Sequence, residues 1–272
     1  MFEINNIQFH YPGQKKRVFC NFNLQLEENK IYGLLGENGT GKSTLLYLLS
    51  GLLRPQEGSV CCDSMQTCKR HPEMLQDIFL VTEEFEFPGI RLSEYVKLNK
   101  SFYPKFSDDV LRKSMAEFGL PEDVHLGKLS MGQRKKAYIA FAMATNTKYL
   151  LMDEPTNGLD IPSKAQFRKI IAQYMNDERT VIISTHLVHD VEQILDHILI
   201  LDQRSALLNA SIADIQNKYV FEYRSLAEMD DVLYAEPAPQ GNAVIAFRES
   251  NSPETKVNLE LLFNAVTQGK KL

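Results

Sequence analysis

No stretch of this 272-residue sequence is apolar for long enough to cross a bilayer. A spanning helix needs about 20 largely apolar residues, and apolar runs here, such as those at 149–152 and 181–183, fall far short of that. The start, Met1-Phe2-Glu3-Ile4-Asn5-Asn6, lacks a basic region followed by an apolar run, so no signal peptide is expected. The expectation is a cytoplasmic chain that reaches a membrane only through partners. A positive field is missing too: the net charge is -5, which argues against nucleic acid as a partner. Cysteine is scarce, with Cys20, Cys61, Cys62 and Cys68 alone. The last three with His71 lack the paired two-residue spacing of a metal site, and adjacent Cys61 and Cys62 in a strand would face opposite ways. Reduced, structural cysteines are expected. What is present is apolar residue content of 44%, enough for a sizeable core in one large domain or a domain with an appendage.

The patterning supports both strands and helices. Phe2–Phe9, Phe19–Leu26, Ile31–Leu35, 59–62 and Ile78–Val81 read as strands, punctuated by Tyr11-Pro12-Gly13, Glu28-Asn29 and the turn Arg54-Pro55-Gln56-Glu57-Gly58. From about Pro88 the period becomes helical, over 92–98, 108–118 (with Ser107 as N-cap) and 134–144. Strands at 149–152 and Thr180–Ser184 flank a helix at 164–175, which predicts a parallel sheet. Beyond about Ala210, short strands at 220–223 and 243–247 surround the Pro237–Gly241 loop. A last helix there carries Leu259, Leu262, Phe263 and Val266 on one face. At about 55 residues such a unit is short of core by itself and is expected to dock on something.

The chemistry concentrates in Gly36-Glu37-Asn38-Gly39-Thr40-Gly41-Lys42-Ser43-Thr44, two glycines spaced as in a phosphate-cradling loop and followed by Lys and Ser. A buried strand precedes it and a helix follows, the context the motif requires. Glycines let successive N–H groups approach an anion, and the helix adds its positive end. Lys42 would reach the β- and γ-phosphates and the Ser43 hydroxyl would ligate Mg²⁺. A second acidic locus closes the strand Tyr149-Leu150-Leu151-Met152-Asp153-Glu154, where ligands of open α/β sheets gather. A third, Leu129-Ser130-Met131-Gly132-Gln133, sets a Ser and a Gly before a helix, a further place for an anion.

Together these motifs resemble the ATP-binding cassette ATPases, the nucleotide-binding subunits of ABC transporters. Leu129–Gln133 is similar to that family's signature, Glu154-Pro155-Thr156-Asn157-Gly158-Leu159-Asp160 to its dimer-contacting segment, and Ile183-Ser184-Thr185-His186 to its switch histidine. The resemblance runs through residues 2 to about 210. It implies an α/β P-loop NTPase fold of the ABC type: a mixed β-sheet core with an antiparallel β subdomain and a helical subdomain. The ATPase domain would span 1–212, with the helical subdomain at about 86–147, and 213–272 would form a small C-terminal α+β appendage.

The resemblance further implies ATP and Mg²⁺ as cofactors. Tyr11 would stack on adenine, and the nine residues from Gly36 to Thr44 would wrap the phosphates. Ser43 and Asp153 would position Mg²⁺, Glu154 would act on the attacking water, and His186 would contact the γ-phosphate. Lys42, Glu154 and His186 are thus the catalytic expectations. Ser130 and Gly132 would close over ATP held by the opposite protomer, with Gln133 and Asp160 as further nucleotide contacts, so the working unit would be a dimer, taken as a homodimer. Membrane-spanning subunits would be separate chains, and the resemblance of 258–267 to the closing helix of export cassettes favours export.

Three positions depart from the family pattern. Glu83 stands where the family has a glutamine, beside Mg²⁺ and the attacking water; it is expected as a metal ligand and catalytic residue that retunes hydrolysis. Met131 replaces a glycine of the signature, and Asn29 a turn glycine, where Asn also tolerates left-handed backbone. A soluble cassette acting on ribosomes or DNA is the alternative. It is disfavoured because a single cassette is present, no long coiled coil intervenes before the signature, and the charge is acidic. A binding module without catalysis is disfavoured by Glu154 and His186.

Overall fold

The computed structural model describes residues 1–14, 16–202, 205–225, 227–249, 253–270 and 272. Strands β1 (Phe2–Phe9), β2 (Phe19–Leu26) and β3 (Ile31–Leu35) lead into helix α1 (Lys42–Leu49). Strands β4 (Glu57–Cys62) and β5 (Met65–Gln66), helix α2 (Pro72–Leu75) and strand β6 (Ile78–Val81) follow. Helices α3 (Leu92–Asn99), α4 (Asp108–Glu117) and α5 (Met131–Ala144) come next, then β7 (Tyr149–Asp153), α6 (Ile161–Tyr174) and β8 (Thr180–Ser184). The chain continues through β9 (His197–Leu201), β10 (Ala206–Ser211) and α7 (Ile212–Lys218). It closes with β11 (Tyr219–Arg224), β12 (Val232–Ala238), β13 (Gly241–Phe247) and α8 (Leu259–Thr267).

The central sheet has the order β10-β9-β3-β8-β7-β6, parallel except for β10 on its edge. Its strands are apolar on both faces, and their side chains alternate between two cores as the strand period of two requires. Tyr32, Leu34, Leu151, Ile182 and Leu199 pack with α1 and the antiparallel sheet β2-β1-β4-β5. Ile31, Leu35, Leu150, Met152, Val181 and Ile183 face α5 and α6 instead. This is the expected mixed core with an antiparallel layer and a helical layer.

Phosphate-loop architecture follows from where the strands end. β3 and β7 are parallel to β8 between them, so the loop after β3 and the carboxylates after β7 emerge at the same edge of the sheet. Asn29 takes φ +61°, the left-handed conformation expected of it. Cys62 is buried while Cys61 is half-buried, and all four cysteines are free thiols.

Several elements differ from the sequence expectation. β9 and β10 have no counterpart in the predicted elements, and β12 runs through Pro237 and Ala238, where the sequence predicts a loop. Pro237 is tolerated because β12 is an edge strand of the antiparallel sheet β11-β13-β12, where one missing N–H need not break a ladder. Helices α5 and α6 each begin three residues earlier than their apolar pattern, because Ser130 and Asp160 cap them. The C-terminal elements do not pack alone: Tyr219, Phe221, Ile245, Leu259 and Leu262 share one buried cluster with Phe167 and Val191.

Candidate functional site

A cavity opens over the loop between β3 and α1, lined by Tyr11, Lys42, Ser43, Thr44, Glu83 and Glu154 among others. Gly39 and Gly41 carry φ of +82° and +105°, the backbone region that L side chains avoid. A Cβ on Gly41 would lie 2.8 Å from Val18 Cγ1 and 2.9 Å from Phe19 Cζ, so the loop bends there against a packed wall. Among the described residues, the first N–H of α1 to reach a main-chain carbonyl is that of Leu45, on Gly41. The N–H groups at the start of the helix are thereby left for an anion, with the helix dipole behind them.

Lys42 is buried, and its Nζ donates to Gly36 O (2.7 Å) and Glu37 O (3.2 Å), bridging the mouth of the loop. Burial pushes its ammonium below the ordinary lysine range, and Glu154, Asp153 and Glu83 partly oppose the fall. Among the described residues the lysine forms no carboxylate ion pair, so its charge remains for phosphate oxygens. The Tyr11 hydroxyl lies 3.0 Å from Thr44 Oγ1, which fixes the aromatic at the rim of the same cavity.

The acidic side is equally ordered. Asp153 is buried and accepts a hydrogen bond from the Ser184 hydroxyl. Glu154, the next residue, has φ +44°, strained for a side chain of this size. Its N–H donates to Ser184 O (3.1 Å), and its Oε1 lies 2.9 Å from His186 Nδ1. Glu83 accepts from Asn157 Nδ2 at 3.0 Å, which brings the departing residue into the cavity beside Glu154. The arrangement fits a nucleoside triphosphate with Mg²⁺: free N–H donors and a buried ammonium on one side, a hydroxyl and carboxylates on the other.

Ser130, Gly132, Gln133 and Asp160 do not line this cavity. Ser130 caps α5: its Oγ accepts from Gln133 N (3.3 Å), while Gln133 Oε1 accepts from Ser130 N (3.1 Å). Asp160 caps α6, accepting from Ser163 N (2.9 Å) and from the Ser163 hydroxyl. The two capped turns touch, since a Cβ on Gly132 would lie 3.3 Å from Gly158 O.

Sequence reasoning missed Gln14, Lys16, Arg17 and Val18, which line the cavity beside Tyr11. The basic pair just before β2 was the available signal. It also missed Lys135, a buried lysine whose Nζ donates to Glu154 O at 2.8 Å.

Residues 19–157 match the family described as ABC transporter. The chain belongs to the ABC transporter family. It is an ATPase subunit that binds ATP with Mg²⁺ and hydrolyses it to drive transport. Its sequence is 28% identical over 255 residues to YdbJ of Bacillus subtilis, an uncharacterized ABC transporter ATP-binding protein, covering 90% of this chain and 83% of the relative. It is 27% identical over 200 residues to SrtF of Streptococcus pyogenes, a lantibiotic transport ATP-binding protein, with 73% and 85% covered. Among solved structures, a dimeric ATP-binding cassette in a post-hydrolysis state bound to ADP and Pi shares the fold. Its TM-score is 0.67 at 22% identity, over 78% of this chain and 98% of that one. No helix among the described residues is long and apolar enough to cross a membrane.

Proposed function

We propose that this ABC ATPase works as a head-to-tail homodimer beneath separate membrane-spanning subunits at the cytoplasmic face of the membrane, and that it drives export. The observation that carries the site assignment is the single cavity in which Lys42, Ser43 and Glu154 meet below Tyr11. Tyr11 takes the adenine, and residues Gly36 to Thr44 take the phosphates. Ser43, Asp153 and Glu83 would hold Mg²⁺, which supplies charge neutralisation across the phosphate oxygens. Glu154 polarises the attacking water from a buried carboxylate, and His186, hydrogen-bonded to it, reads the γ-phosphate side.

Pairing is supported by what the signature and the following segment expose. Met131 and Ile161 stand 79% and 84% exposed on adjoining turns, away from the cavity of their own chain. Large apolar side chains left exposed on two adjoining turns suit burial against a second copy. In that arrangement Ser130, Gly132, Gln133 and Asp160 meet nucleotide across the interface. Export rests on the likeness of 258–267 to the closing helix of export cassettes. Residues 1–212 are proposed as the ATPase domain, with a helical subdomain at about 86–147 and an appendage at 213–272. Glu83 retunes hydrolysis by adding a carboxylate near the phosphates.

Steady-state hydrolysis and binding of a fluorescent ATP analogue separate the roles. Lys42→Ala is expected to lose both binding and turnover. Glu154→Gln is expected to bind ATP normally and to lose at least about 100-fold in turnover, the lower end of what general-base removal costs. Normal turnover in Glu154→Gln would sink the assignment of Glu154.

A further inference from the structure

Lys135 sits in α5, between the signature turn and the apolar heart of the helix, in the run Arg134-Lys135-Lys136. Such a run ordinarily faces solvent, yet Lys135 is 5% exposed. Its Nζ donates to Glu154 O at 2.8 Å and to Glu83 O at 3.4 Å. Both acceptors are main-chain carbonyls, one at the end of β7 and one in the loop after β6. The residues that own them are the two carboxylates lining the phosphate cavity.

Burying a lysine costs several kcal/mol unless its donors are used and charges of opposite sign stand near. Here both conditions hold. Burial pushes the ammonium below the ordinary lysine range, while Glu83, Glu154 and Asp153 draw it back up. The same three carboxylates act on Lys42. Two ammonium groups therefore face three carboxylates across one site, and Lys16 and Arg17 add positive charge on the cavity wall. Removing Lys135 takes away one of the two buried cations beside those carboxylates. Its charge thus moderates the added carboxylate that Glu83 brings to this site.

The second consequence is geometric. Glu154 holds φ +44°, a conformation that persists only when the surroundings over-determine it. Its N–H is fixed on Ser184 O and its carbonyl on Lys135 Nζ, with Asn157 N donating to the same carbonyl at 3.2 Å. Released from the lysine, the carbonyl would keep only the longer Asn157 N–H bond, and a shift of the peptide would carry the carboxylate with it.

We propose that Lys135 is a positioning residue for ATP hydrolysis: its ammonium ties the main chain of Glu154 to that of Glu83 and so aims both carboxylates into the phosphate cavity. This rests on the assignment of Glu154 as the group that acts on water. Lys135 lies outside the cavity lining, so nucleotide contact is not its role.

The test is a double-variant cycle on the full chain, read by ATP-analogue affinity, kcat and KM. Lys135→Met is expected to bind ATP within about threefold of wild type and to lose tenfold or more in kcat. Lys135→Arg, which keeps charge and donors, is expected to recover part of that loss. In a Glu154→Gln background, Lys135→Met is expected to remove less than threefold more, because the group it positions is already gone. Unchanged kcat in Lys135→Met overturns the proposal, and so does an equal loss in both backgrounds, which marks a merely structural role. Lys135→Gln keeps a neutral N–H donor group without the charge and replaces Lys135→Met if the latter does not fold; failure of both to fold also overturns it. Full turnover in Glu154→Gln alone instead defeats the Glu154 assignment, a separate result.

Discussion

Asp63 lies at φ +47° in the turn between β4 and β5, where its carboxylate accepts from Lys148 Nζ (2.9 Å) and the Tyr149 hydroxyl (2.8 Å) beside the chain's amino terminus. Burial alone would raise its pKa, but Lys148, the amino terminus and Tyr149 outweigh it and hold the carboxyl below the usual range. Glu28, which accepts from the amino terminus and Lys148, is lowered as well. A carboxyl whose folded pKa is depressed contributes stability that is present above its unfolded value, about 4. That contribution is lost as pH falls through the lower folded value. About a third of each side chain is exposed, so solvent screening keeps the effect small. The urea midpoint of the wild type is expected to fall more between pH 5 and pH 2 than that of Asp63→Asn; parallel curves would contradict this. At this scale Lys42 and Ser43 stand out in the sequence by the spacing of their loop, and Asp153 and Glu154 only through their pairing with that loop. The sequence says nothing of Lys135, since one lysine among three basic neighbours carries no mark of burial, nor of the Asp63 cluster, whose members come from four separate segments.

At the scale of elements, Arg179 shows what holds the helical layer to the sheet. It is 2% exposed and precedes β8, and its guanidinium donates to Thr147 O (3.2 Å), Tyr174 O (3.2 Å), Met143 O (3.3 Å) and Asn146 Oδ1 (3.1 Å). Those acceptors are the ends of α5 and α6 and the approach to β7, so one side chain satisfies several carbonyls that the helix ends leave over. Burial pushes the guanidinium down to about 10, still charged near neutral pH. Arg179→Met strands those carbonyls and is expected to cost roughly 3 kcal/mol in urea unfolding; a loss under about 1 kcal/mol would count against the reading. Helices and strands with local signals were legible: Ser107 does cap α4, its side chain accepting from Val110 N at 3.2 Å. β9 and β10 were not, because β9 earns its place by pairing with β3 across more than 150 residues, a non-local contact that periodicity does not display. Likewise Pro237 suggests a turn until the edge position of β12 is known.

At the scale of the whole molecule, the proposed dimer makes the phosphate loop half of a site. The cavity gathers the residues proposed to hold the base and phosphates and to act on water, while Ser130, Gly132 and the exposed Met131 and Ile161 lie outside its lining. The C-terminal elements join the same molecule through a shared core, and Phe263 of α8 lines a second hollow with Gly36, Asn38 and His186. The fold class was legible because its motifs fall in one order along the chain; the placement of the last three strands was not, since their core belongs to residues far upstream. The most direct measurement is size-exclusion chromatography of Glu154→Gln with and without ATP. Slowed hydrolysis should trap two ATP molecules between two chains, so ATP is predicted to shift the 31.1 kDa chain to a dimer, and Ser130→Arg added to the same variant to abolish the shift. A chain that stays monomeric with ATP bound, and hydrolyses it at the wild-type rate, would contradict the account.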